Sequence, residues 1–94
     1  MKPKEKIIEV LKKVKDPEIG LDIWTLGLVY AISVKGKDAK IKMTFTSPLC
    51  PYGQMLVLEV RKEVQNIGYK DVDVEVVFDP PWKPSKEVRA MLGV

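Results

Sequence analysis

Cys50 is the single cysteine of a chain that has no histidine. Its nucleophiles and metal ligands therefore reduce to one thiol and a set of carboxylates. The thiol stands in Thr46-Ser-Pro-Leu-Cys-Pro-Tyr-Gly-Gln54. Cys-Pro-Tyr opens a Cys-Pro-Tyr-Cys dithiol motif, but Gly53 occupies the place of the resolving thiol, and two-cysteine redox catalysis is excluded. Monothiol, glutathione-linked chemistry stays open. A Cys-His nucleophilic pair is excluded, because no imidazole is available to take the proton. One thiolate alone does not make a metal site, and a metal held by Cys50 would need ligands from elsewhere.

Hydrophobic periodicity assigns the elements that must position this thiol. Ile7, Ile8, Leu11 and Val14 recur at helical spacing over residues 3 to 14, with Pro3 suited to a first turn and Asp16-Pro17 as a stop. Leu28, Tyr30, Ile32 and Val34 alternate against Val29, Ala31 and Ser33. Ala39, Ile41, Met43 and Phe45 alternate against Lys40, Lys42 and Thr44. Lys35-Gly-Lys-Asp38 joins these two strands as a hairpin, and Thr44 and Thr46 fall on the solvated face. A helix over residues 51 to 67 carries Leu56, Val60, Val64 and Ile67 and stops at Gly68. A third strand runs from Val72 to Phe78, and a short helix from Ser85 to Leu92.

The order helix-strand-strand-helix-strand-helix, with one apolar face per strand, predicts an α/β (α+β) two-layer sandwich: a small mixed three-stranded sheet with its helices on one face. A crossover through the second helix makes strands two and three parallel. The segments Asp16 to Gly27, Thr46 to Tyr52 and Asp79 to Lys83 then meet at one end of the sheet, carrying Cys50, Trp24, Trp82 and the carboxylates Asp16, Glu18, Asp22 and Asp79. Such loop clusters at strand ends are where α/β proteins place function. Pro51 suits a first helical position, which puts Cys50 at the N-cap, where the helix dipole favours a thiolate. A buried structural cysteine is the alternative. Trp82, stiffened by Pro80-Pro81, either packs over the core edge or anchors a partner. Trp24 and Leu26 are more ambiguous, and their loop can be read simply as a lid.

Composition bounds the rest. Ninety-four residues make one domain, spanning residues 1 to 94, with 46% hydrophobic and 31% charged residues. No apolar run reaches the roughly 20 residues of a membrane helix. The opening residues lack a signal-peptide pattern, and one cysteine forms no internal disulfide, so a cytoplasmic setting is expected. The net charge of +3 comes from 16 Lys and Arg interspersed with 13 acids, the pattern of a solvated surface rather than of a nucleic-acid footprint. The element order loosely matches a KH-type RNA-binding module, but no Gly-x-x-Gly clamp for nucleotide phosphates occurs.

Three blocks, "DPEIGLDIWTLGLVYAI" (Asp16 to Ile32), "MTFTSPLCP" (Met43 to Pro51) and "DPPW" (Asp79 to Trp82), together resemble the small iron-sulfur cluster assembly domain shared by PaaD-like proteins, SufT and the eukaryotic cytosolic iron-sulfur targeting factors. The resemblance covers nearly the whole chain. It implies a non-enzymatic maturation factor that assists cluster delivery, with an assembly scaffold or recipient apoproteins as partners and a transient iron-sulfur cluster or iron as cargo. It also implies Cys50 as the key residue and metal ligand, supported by Asp16, Glu18, Thr46 and Asp79. Asp16 can equally serve as a turn cap, whereas Glu18 has no such local task. A two-fold dimer pairing two Cys50 residues with carboxylates such as Glu18 or Asp79 is one route to a complete ligand set. Sulfurs from a partner or a small thiol are the favoured route, since carboxylates are hard ligands.

Overall fold

The computed structural model describes residues 3–47 and 51–93. Helix α1 (Pro3–Leu11) places Ile7, Val10 and Leu11 in the core. It ends one turn earlier than the periodicity predicts. Lys13 and Val14 donate to the carbonyls of Val10 and Leu11 at 3.1 Å, a tighter turn that still buries Val14.

Strands β1 (Val29–Lys35) and β2 (Asp38–Met43) pair antiparallel, joined at Gly36-Lys37. Gly36 supplies the positive φ, 59°, that a two-residue hairpin loop needs. Helix α2 (Gly53–Asn66) buries Leu56, Val60 and Val64, and β3 (Asp71–Val76) then pairs parallel to β2. The strand order β1-β2-β3 is the expected mixed sheet. Its inner face, with Ala39, Ile41 and Met43, packs under the helices. Its outer face carries Lys40, Lys42, Asp73 and Glu75, with Glu75 lying 3.9 Å from both lysines. Helix α3 (Lys86–Leu92) is capped by Ser85, whose Oγ accepts from the N–H of Val88, and Val88 is buried.

Two details depart from the strand alternation. The register slips between Val29 and Ala31, a β-bulge that makes Tyr30 an extra residue opposite β2. Val29 therefore packs on the core, and Tyr30 turns toward the loop after β3. At the end of β2, Thr44 is not on the solvated face: it is 1% exposed. The strand stops at Met43, and the Thr44 N–H turns to the Leu28 carbonyl at 2.8 Å.

Candidate functional site

Val29, Met43 and Val76 lie side by side in the sheet, so the entry to β1 and the exits of β2 and β3 share one end. The three irregular segments meet there as the parallel crossover requires.

The first segment is a loop built by its own hydrogen bonds. Lys15 and Asp22 form an isolated bridge, the Asp16 N–H donates to the Leu21 carbonyl at 2.9 Å, and the Ile23 N–H donates to Val14 at 2.9 Å. Asp16 sits at its base, 1% exposed, and its Oδ1 accepts from the N–H groups of Glu18 (2.9 Å) and Ile19 (3.2 Å). The carboxylate thus holds an Asx turn. Gly20, at φ 81°, closes the turn onto the Asp16 carbonyl at 2.7 Å. Asp22 Oδ2 then accepts from the Thr25 N–H and starts a single helical turn that drives Ile23 and Leu26 into the core.

The third segment, which includes the cis Asp79–Pro80 bond, is fastened at two points, once to β1 and once to the first segment. The Tyr30 hydroxyl donates to the Pro80 carbonyl at 2.8 Å, and the Trp82 indole N–H donates to the Leu26 carbonyl at 2.6 Å. Trp82 is half-buried against the core. Its apolar body and polar edge are both engaged within the chain, which is the packing alternative for this residue.

The second segment leaves β2 through Phe45 and Thr46. Phe45 lies edge-on to Phe78, with centroids 6.0 Å apart at 63°, and its ring covers Gly53. A Cβ at Gly53 would come within 2.5 Å of Phe45 Cε2. A side chain at the position that lacks a second thiol would therefore have to displace the Phe45 ring. Helix α2 begins at Gly53 with Tyr52 as its N-cap, so the expected start at Pro51 is corrected. Cys50, expected at the N-cap, lies with Pro48 and Leu49 outside the described residues.

The other sequence candidates are distributed as follows. Thr46 is half-buried beside Phe45, while Glu18 and Asp79 are exposed. The carboxylates share an end of the sheet without forming a ligand set: among the described residues no three acidic side chains gather to hold a metal ion. Among the described residues, Thr44 Oγ1 and Arg61 Nε are buried without a hydrogen-bond partner. Gly53, Tyr30 and Thr44 are the contributors that periodicity does not place, whereas Phe45 continues the apolar alternation of β2. Only Gly53, a glycine opening a helix, leaves a mark in the sequence. A cavity of about 440 Å³, lined by Lys35, Asp38 and Asp71, lies at the hairpin end of the sheet, away from these loops.

The architecture is that of a small α+β domain whose loops at one end of the sheet are hydrogen-bonded to one another and to the core. Residues 4–76 match the family model for the iron-sulfur cluster assembly protein, and the chain belongs to that family. It is 40% identical, over 97% of its length and 94% of the relative's, to the Fe-S protein maturation auxiliary factor YitW of Bacillus subtilis strain 168. It is 37% identical to the Fe-S protein maturation auxiliary factor SufT of Staphylococcus aureus strain USA300, over 84% of this chain and 96% of that one. The crystal structure of a domain of unknown function, DUF59, from Bacillus anthracis superposes with a TM-score of 0.88 at 36% identity, covering 98% of this chain and 92% of that one.

Proposed function

We propose that this chain is a cytoplasmic, non-enzymatic factor of iron-sulfur protein maturation, assisting the delivery of clusters to recipient apoproteins. The family match across residues 4–76 is the observation that carries this reading. The geometry is consistent with it. The exit of β2, from which the sequence runs on to Cys50, shares one end of the sheet with two loops that hydrogen bonds and buried side chains hold in place, so a recipient or scaffold meets a platform fastened within the chain.

The cluster is cargo, passed on rather than kept. One thiol leaves most of a cluster's coordination to be supplied from outside, and the dispersed carboxylates Glu18 and Asp79 are poor substitutes for sulfur. Ligands shared with a partner or a small thiol hold the cluster only while both are present, which suits transfer. A two-fold pairing of Cys50 residues is the competing arrangement.

The test is anaerobic reconstitution with iron and sulfide, followed by absorption and Mössbauer spectra of wild type and Cys50→Ala. Cluster signal that requires both Cys50 and an added thiol or partner supports the proposal. A stable stoichiometric cluster on the monomer alone overturns it. The cellular counterpart is the activity of an iron-sulfur enzyme in a strain that depends on this protein, which should fall when the chain is removed.

A further inference from the structure

β3 is an edge strand, and among the described residues its backbone pairs with β2 alone. The N–H and C=O groups of alternate residues on its outer side therefore face solvent, open to another strand.

The two faces of this edge differ sharply. On the helix side the cover is incomplete: Val74 and Val76 are half-buried, whereas their β2 neighbours Ile41 and Met43 are fully buried. Between the edge and α2 runs an apolar groove of about 340 Å³, lined by Phe45, Gln54, Val57, Leu58 and Val76. Leu58 is 60% exposed beside it. On the opposite face β3 presents Asp71, Asp73 and Glu75, all exposed. Glu75 is approached by two lysines, while Asp71 and Asp73 have no ion-pair partner among the described residues.

We propose that the outer edge of β3 receives an extended segment of a partner protein as a fourth strand. The alternate apolar side chains of that segment enter the Phe45–Leu58 groove, and the Lys or Arg residues between them lie over Asp71 and Asp73. Strand addition supplies affinity through main-chain hydrogen bonds and specificity through alternate side chains. Here the alternation must be apolar and basic.

A second copy is the wrong occupant. Directly opposed residues in an antiparallel pair lie on the same face. Two β3 strands centred on Asp73 would set Asp73 against Asp73 and Asp71 against Glu75, and like charges so placed are destabilising. The acidic row therefore guards the edge against self-pairing while selecting a basic partner. This inference is independent of Cys50 and of cluster chemistry.

The probe is a fluorescein-labelled peptide, Lys-Ile-Lys-Val-Lys-Ile-Lys, titrated into the full chain, with amide hydrogen exchange read by NMR. A peptide of the same composition with its lysines grouped at one end is the control. The expected result is preferential binding of the alternating peptide, with slowed exchange at β3 amides and shifts at Val57 and Leu58. Asp73→Lys and Leu58→Glu, both at exposed positions and checked by thermal melts, should each weaken binding about tenfold or more. A peptide with Glu in place of Lys should in turn bind Asp73→Lys better than it binds wild type. Equal binding of the grouped control, β3 amides left unprotected, indifference to both substitutions, or β3 protection arising from a concentration-dependent dimer would each overturn the proposal.

Discussion

The indole N–H of Trp82 donates to the Leu26 carbonyl oxygen at 2.6 Å across 56 residues of sequence. Leu26 is itself buried in the core, so the loop after β3 is anchored through this bond to a fixed point. Trp82→Phe keeps most of the apolar body and removes the donor. It should cost about 1–2 kcal/mol, read as a lowered urea midpoint with an unchanged slope.

Gly53→Ala puts a methyl group into the Phe45 ring, which Phe78 and the core hold from other sides. A loss of about 1–3 kcal/mol is expected despite the better helix propensity of alanine. Phe45→Leu should cost less in the Gly53→Ala background than in wild type, and a double-mutant cycle measures that coupling.

Asp16→Ala strips an acceptor from the N–H groups of Glu18 and Ile19 at a nearly fully buried position. The expected loss is about 1–3 kcal/mol. Asp16→Asn retains Oδ1 and should recover most of the stability and all of the maturation activity. A stable Asp16→Asn variant that fails to support an iron-sulfur enzyme in cells would assign the carboxylate a direct functional role.

Thr44→Val tests the opposite situation. The Oγ1 of Thr44 is buried without a partner among the described residues, so an apolar replacement of the same shape should stabilise the fold by about 1 kcal/mol, seen as a higher thermal midpoint. A destabilised variant would show that the hydroxyl is satisfied in solution.

Cys50→Ser is nearly isosteric. It should leave the thermal midpoint within the range of about 0.5 kcal/mol typical of surface changes and yet abolish support of iron-sulfur enzyme activity in the dependent strain. Large destabilisation with normal enzyme maturation would make the thiol structural.

The alternating apolar residues of β2 and β3 and the helical spacing of Leu56, Val60 and Val64 made the layer architecture legible before any coordinates. The parallel crossover made the meeting of three segments legible too. Tyr30 shows where this stops: a bulge adds one residue to a ladder, and an alternation pattern is blind to the insertion because Val29 and Tyr30 are both apolar enough to face inward. Thr44 fails for a related reason. The backbone leaves the sheet at Met43, and beyond that point period-two reasoning no longer describes which side is wet. Asp16 was legible as a turn cap from Asp-Pro. Its burial was not, because it depends on the Lys15–Asp22 bridge.

The Gly36-Lys37 turn projects from the end of the sheet opposite the three converging segments, and both residues are exposed. It is the natural point of attachment for a surface or a dye. A unique cysteine is unavailable for coupling if the thiol at position 50 must stay free, but an unnatural amino acid with an azide or alkyne at Lys37 would tether the chain by its blunt end. Immobilised in that orientation, every molecule presents the loop end to the flowing solution, and the on-rates of candidate partners can be compared without an orientation correction.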